Sequence, residues 1–212
     1  MDKKSKAKIV AEKLQKLYPD AQCSLNYKTP LELLIATRLS AQCTDERVNK
    51  VTPALFEKFK SAEDFAKASS EEIEPYIRSC GFFRTKSNDI VNMCKKIVAD
   101  FGGKIPDNME DLTSLAGVGR KTANLVLGMV YGKPGIVVDT HFIRITKRLG
   151  FHNTENAEKI EKIMLKFISP DISQKFCHQI VLHGRAVCKA INPKCGECAL
   201  KSECEYYKTH SK

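Results

Sequence analysis

The sequence predicts an all-α protein, and three observations carry that reading. Apolar residues recur three and four positions apart almost throughout, the spacing of one helix face. Capping residues stand ahead of most of these stretches and divide them into helices with short connections. No segment alternates apolar and polar like a half-buried strand, and neither a fixed-period repeat nor a low-complexity linker is present. The expectation is roughly ten helices packed on one another.

Taken in order, Val10, Leu14 and Leu17 form the first stripe, which stops before Pro19. Thr29-Pro30-Leu31-Glu32 reads as a helix start. Thr29 caps, Pro30 suits the first helical position, and Glu32 closes a capping box. Thr44-Asp45 opens the next helix, with Pro53 expected to interrupt or restart it. Ser61 precedes a short helix with an acidic start, and Ser69 with Glu72 forms a further capping box. Ile90, Val91, Cys94, Ile97 and Val98 make the cleanest amphipathic stripe, closed by Gly102-Gly103. Asp107 with Glu110 is expected to start a helix carrying Met109, Leu112 and Leu115. After a break at Gly117 and Gly119, another carries Ala123, Val126, Leu127 and Val130. Gly132, Pro134 and Gly135 end that pattern and form a soft internal boundary. Gly135 to Asp139 reads as extended, and a helix begins near Asp139 or Thr140. Thr154 is expected to cap a helix bearing Ala157, Ile160, Met164 and Phe167, and Phe176, Cys177, Ile180 and Val181 mark the last long one.

A chain of 212 residues is long enough to bury a substantial core. No apolar run approaches the roughly 18 residues of a membrane span. No apolar region follows the basic start at Met1 to Lys8, so a secretory signal is not expected. Cytoplasm or nucleoid is the default location, and a monomer the simplest state. The net charge of +10 suits a polyanionic partner, with nucleic acid first in line. A basic enzyme without such a partner fits the charge as well. Nine cysteines are present. In a reducing compartment Cys23, Cys43, Cys80, Cys94 and Cys177 read as small buried apolar residues.

Leu115-Ala116-Gly117-Val118-Gly119-Arg120-Lys121-Thr122 joins two apolar-faced helices by a very short turn. Two glycines allow left-handed or crowded backbone and the close approach of another backbone. The N–H groups and positive dipole end of the second helix would accept a phosphate, with Arg120 adding charge. A plain helical hairpin with a glycine turn accounts for the same residues. Lys121 falls in the first turn of that second helix, where the dipole and Arg120 disfavour its ammonium form and partial burial would act the same way. It is either an amine nucleophile or a phosphate-binding lysine that stays charged. Asp139 is either a helix cap or a carboxylate held at a cleft edge as base or charge stabiliser.

Cys188, Cys195, Cys198 and Cys204 follow the spacing C-x6-C-x2-C-x5-C. Four thiolates satisfy a tetrahedral zinc or a [4Fe–4S] cluster. The spacing matches neither the usual zinc ribbon nor the bacterial ferredoxin run. Either centre would be structural, because protein fills all four positions. Lys189 and Lys194, placed between the ligands, can hold phosphates.

These residues resemble the endonuclease III family. The hairpin Leu115 to Asn124, Val138-Asp139-Thr140-His141, the terminal cysteine spacing, Leu39 to Asp45 and Leu182-His183-Gly184-Arg185 all match in the family's order, from about Lys8 to Tyr207. The resemblance implies the two-domain helix-hairpin-helix DNA glycosylase fold, a six-helix barrel at 24–132 and an iron–sulfur cluster domain built from 1–23 and 133–212. It implies removal of oxidised pyrimidines from damaged duplex DNA, then nicking of the abasic site. Lys121 becomes the nucleophile that forms a Schiff base, and Asp139 its activator. The cofactor becomes [4Fe–4S]. Gln42 becomes the residue that fills the gap left by the flipped base, and Phe82 part of a wedge between the strands. One departure is Ala116, where the family usually has proline. Alanine loosens the unfolded chain by under ~1 kcal/mol.

Two rivals are weighed against this. Monofunctional adenine or mismatch-thymine glycosylases lack the lysine, and Lys121 is present. A passive helix-hairpin-helix module would need Gly117, Gly119 and basic residues, but not Lys121 with Asp139.

Overall fold

The computed structural model describes residues 2–210, and every regular element among them is helical. The chain divides into two compact units, Cys23–Tyr131 and the combination of Met1–Gln22 with Gly132–Lys212. No helix among the described residues is long and apolar enough to cross a membrane.

The internal unit holds α2 (Pro30–Leu39), α3 (Asp45–Lys58), α4 (Ala62–Lys67), α5 (Ser70–Ile77), α6 (Phe83–Phe101), α7 (Met109–Thr113) and α8 (Arg120–Tyr131). Its core includes Leu33, Leu34, Leu39, Val48, Leu55, Phe65, Ile73, Ile90, Cys94, Ile97, Leu112 and Val126, all buried. The long amphipathic α6 packs against α4 and α5, while α8 packs against α2 and α7. Ser61 and Ser69 close full capping boxes with Asp64 and Glu72. Each satisfies two of the donors a helix start leaves without intrahelical partners.

Several local expectations are corrected. Glu32 accepts from the Lys28 N–H, one residue outside the box, although Thr29 does cap α2. Pro53 neither interrupts nor restarts α3, which runs through it. Asn108, not Asp107, caps α7, and its side chain accepts from the Asp111 N–H. Helix α7 ends at Thr113, so Leu115 packs from the hairpin instead.

The other unit comprises α1 (Lys3–Leu17), α9 (Thr140–Arg148), α10 (Ala157–Met164), α11 (Ser173–Ala186) and α12 (Glu205–His210). Val10, Leu14, Ile136, Phe142, Ile145, Phe151, Ile160, Met164, Phe176 and Ile180 form its core. Leu17 is 46% exposed, so the first stripe buries one turn less than its spacing predicts. Thr154 does not cap α10. Its hydroxyl accepts from the Asn156 N–H, and Asn156 caps the helix. Phe167 lies beyond the end of α10.

Candidate functional site

The hairpin is built from short-range constraints. Gly117 takes φ +71, and a Cβ there would stand 2.5 Å from Arg38 Nε and 3.0 Å from Asp89 Oδ2. Those two side chains form a largely buried ion pair, with Arg38 Nε donating to Asp89 Oδ2 at 2.8 Å. Gly117 is therefore required twice over, by backbone conformation and by the pair it lies against. Gly119 differs: its φ is not positive, and a Cβ would meet nothing within 4 Å. The expectation that both glycines serve the protein's own crowding holds for Gly117 alone. The first turn of α8 follows, with the Ala123 N–H donating to the Gly119 carbonyl at 3.0 Å. Arg120 and Lys121 are both exposed at its start.

Gln42 and Phe82 share an unusual backbone. Among the described residues three non-glycines take positive φ: Gln42 at 54°, Phe82 at 47° and Asn192 at 50°. Such a conformation costs about 1–2 kcal/mol for a residue with a Cβ and is concentrated at functional sites. Gln42 is exposed in the connection from α2 to α3. Phe82 precedes α6 and is 65% exposed, a large apolar ring held in solvent. Asn192 lies between the exposed Lys189 and Lys194.

In the other unit, Asp139 serves as the cap of α9, its Oδ1 accepting from the Phe142 N–H at 2.7 Å. The carboxylate is only half-buried. Sequence reasoning passed over His178, whose Nε2 is buried without a hydrogen-bond partner. Burial lowers its pKa, while the charge of Asp139 pulls the other way.

Cys188, Cys195, Cys198 and Cys204 line one cavity, together with Arg148, Pro193, Lys194, Lys201 and Tyr206. Cys188, Cys198 and Cys204 also pack against the apolar core of their unit. Burial raises the thiol pKa of Cys198 and Cys204, and the neighbouring cysteines add to this. A bound cation would relieve both effects, because it stabilises thiolate. Arg148 donates to Cys188 Sγ at 3.2 Å and lies 4.6 Å from the Tyr206 ring centroid. Its neighbour on the same helix face, Arg144, donates to the Cys188 carbonyl at 2.9 Å. His183, buried, approaches Cys198 Sγ at 3.4 Å through Nε2. Gly184 follows it because a Cβ there would strike His141 and Arg144. The donor set and its cationic surround fit an anionic thiolate-held centre. No three His, Cys, Asp or Glu side chains among the described residues converge as a site for a single metal ion. Arg144 and Arg148 were not singled out in the sequence, and His183 stood there only as part of the motif Leu182-His183-Gly184-Arg185, without a role at the cysteines. The i,i+4 spacing of the two arginines was visible, but their target was not.

This combination of an all-helical fold, a glycine hairpin and a four-cysteine cavity has known relatives. Residues 35–170 match the family model for the HhH-GPD superfamily base excision DNA repair protein. The chain is 49% identical to the endonuclease III of Synechocystis sp. over 203 residues, 95% of this chain and 93% of that one. A solved non-covalent endonuclease III–DNA complex superimposes with a TM-score of 0.92 at 40% identity, covering 100% of this chain and 99% of the other. A trapped endonuclease III–DNA covalent intermediate does so with a TM-score of 0.92 at 39% identity, covering 100% of both chains. The chain belongs to the HhH-GPD superfamily of base-excision DNA-repair proteins, in its endonuclease III family.

Proposed function

We propose that this chain removes oxidised pyrimidines from duplex DNA and cuts the resulting abasic site, using Lys121 as its nucleophile. The observation that carries the reading is the full-length likeness to a DNA-bound and a covalently trapped relative, together with an exposed lysine on the first turn of α8. The protein is a base-excision DNA glycosylase with AP lyase activity. A glycosylase must extrude the damaged nucleotide before C1′ is accessible. That calls for phosphate grips, a wedge and a nucleophile.

The reading assigns the grips to the N–H groups of the hairpin with Gly117, Gly119 and Arg120, and to Lys189 and Lys194. Gly119, with open space where a Cβ would stand, lets a phosphate come close. The left-handed Gln42 and Phe82 fill the gap and part the strands. The Lys121 amine attacks C1′ and the base leaves. The opened sugar is then held as a Schiff base, and loss of its C2′ proton expels the 3′ phosphate by β-elimination. Asp139 takes the role of proton acceptor and counter-charge for the sugar cation. We assign the four cysteines to a [4Fe–4S] cluster, with zinc as the alternative. When bound it supplies a rigid, anionic anchor for the loop bearing Lys189 and Lys194. The internal unit then corresponds to the six-helix barrel, and the unit built from both chain ends to the cluster domain. The cytoplasm, beside the genome, is the matching location.

Duplex carrying one thymine glycol, incubated with protein and borohydride, tests this on a denaturing gel. A covalent band that is lost in Lys121→Gln is expected, with DNA binding retained. Base release without a band would make the enzyme monofunctional and remove Lys121 from the nucleophile's role.

A further inference from the structure

The end of α1 reaches the cysteine loop through a line of hydrogen-bonded side chains. Tyr18 caps α1, its N–H donating to the Leu14 carbonyl at 2.8 Å. Helix α11 clamps it there. Gln179, buried, donates from Nε2 to the Tyr18 carbonyl at 3.2 Å and to Gln15 Oε1 at 2.9 Å. One turn further along α11 stands His183, which is 1% exposed. Its Nδ1 lies 3.3 Å from the Tyr18 hydroxyl, and its Nε2 lies 3.4 Å from Cys198 Sγ. The Tyr18 and His183 rings meet edge-on, with centroids 6.1 Å apart. The backbone of His183 is tied to the same loop, its carbonyl accepting from the Cys188 N–H at 2.9 Å. Both ring nitrogens of this buried histidine are therefore engaged, one by a hydroxyl at the end of the first helix and the other by a sulfur of the terminal loop.

The direction of the line follows from the sulfur. A neutral imidazole carries one N–H. A cysteine that holds a metal is a thiolate with no proton to give, so Nε2 carries the hydrogen and donates to Cys198. Nδ1 is left as an acceptor, and the Tyr18 hydroxyl is its donor. Tyr18 thereby fixes the tautomer and the angle of the ring, as outer partners do for histidines at metal sites.

We propose that Tyr18 and His183 form a hydrogen-bond relay that aims a donor at Cys198 and raises the reduction potential of the centre held there. This role rests on the [4Fe–4S] assignment made above. A hydrogen bond to a ligand sulfur draws negative charge off it and so favours the electron-richer state of the centre. The bond from His183 acts where little water competes with it, which strengthens it. Arg148 donates in the same way at Cys188 Sγ. The relay differs in having a remote handle, because the Tyr18 hydroxyl touches no cysteine and can be removed without disturbing one. Tyr18 and His183 are positioning residues, and neither takes part in the cut.

Tyr18→Phe tests the relay in the whole, iron-loaded protein, since it removes one hydroxyl and keeps the ring beside His183. Film voltammetry should give a lower midpoint than in the parent. At the parent's midpoint the ratio of reduced to oxidised centre should fall about three- to tenfold, the effect of one ordinary hydrogen bond, tenfold being about 59 mV for a one-electron couple. His183→Phe should lower the midpoint at least as far, and adding Tyr18→Phe to it should change nothing more, as expected of two groups acting in series. Iron content and melting temperature are followed in parallel. An unchanged midpoint in Tyr18→Phe with full iron overturns the relay. So does a lower melting temperature with the midpoint unmoved, which would leave Tyr18 a packing residue. Protein purified with a single zinc in place of iron would instead overturn the cluster assignment. The relay is then read from zinc affinity, which Tyr18→Phe should weaken about 10- to 100-fold, and equal affinity overturns it.

Discussion

The two hairpin glycines look alike in sequence and predict opposite outcomes on substitution by alanine. At Gly117 the φ of +71 becomes strained once a Cβ is present, which costs about 1–2 kcal/mol. The new Cβ also stands 2.7 Å from Arg38 Cδ, so Arg38 must move off Asp89. Their side chains are 15% and 21% exposed, and disturbing such a pair costs on the order of 1–2 kcal/mol. Restricting the unfolded chain returns about 0.4–1 kcal/mol. The net loss for Gly117→Ala is about 2 kcal/mol, or roughly 4–8 °C in melting temperature for a chain of this size. At Gly119 the φ is ordinary and the Cβ meets nothing. The gain from the unfolded chain and the loss of a favourable residue at the helix start nearly cancel, leaving stability within ~0.5 kcal/mol. The methyl group instead intrudes where a phosphate is to sit, so Gly119→Ala should lose affinity for undamaged duplex while melting normally. Thermal melts and fluorescence anisotropy on both variants decide the matter. Normal DNA affinity in Gly119→Ala would refute its assignment to the phosphate grip. Normal melting of Gly117→Ala would refute the packing argument.

Three further predictions concern the rest of the chain. Lys194→Gln should weaken binding alike across sequences and flatten the slope of log affinity against log salt by about 1, the signature of one lost phosphate contact; an unaltered slope removes Lys194 from the DNA face. Purified protein should carry about four irons per chain with broad visible absorbance, and Cys198→Ala should lose both; a colourless protein with a single zinc would replace the cluster. Burial holds His152 below the ordinary histidine pKa, with the Thr154 backbone opposing. A depressed folded value means the contribution of the neutral ring is complete above the unfolded pKa of about 6.5 and is lost as pH falls below it. Melting temperature should therefore drop more between about pH 7.5 and 5.5 in the parent than in His152→Gln, and parallel drops would exclude the ring as a cause.

What the sequence disclosed was mostly local. The Ser69 capping box, the helix start at Ser61 and the α6 stripe are statements about residues three or four apart, and the structure has them where the sequence put them. Errors came where two local signals competed. Asn108 and Asp107 both suit a cap, and the one whose side chain reaches the Asp111 N–H wins. Pro53 is tolerated inside α3, because a helix anchored by buried Val48 and Leu55 can forgo one backbone bond. The terminal cysteines were legible as a group because their spacing is short. Arg148 at Cys188 was not, since forty residues separate them.

Backbone strain was beyond sequence reasoning altogether, and it is the most informative feature of the candidate site. A positive φ at glutamine or phenylalanine has no compositional signal, yet it sets these two residues apart from ordinary exposed side chains. An exposed phenylalanine alone would be unremarkable, because single apolar side chains on a surface are common. One held at φ 47 beside a glycine at φ 69 is paid for by the packing around it. Part of that packing is the bridge from Lys86 to the carbonyls of Leu39 and Cys80. A buried ammonium satisfied by two carbonyls is costly to expose and costly to leave unpaired. It therefore fixes the spacing of the two connections, those of Gln42 and Phe82, more firmly than an apolar contact would. Lys86→Met tests this directly: it removes the bridge but keeps the length of the side chain. Its loss should reduce binding to lesion-bearing duplex through Gln42 and Phe82 while leaving the hairpin, and so the affinity for undamaged duplex, in place. An equal loss on both DNAs would mean that Lys86 supports the internal unit as a whole and that the two connections draw their geometry from elsewhere.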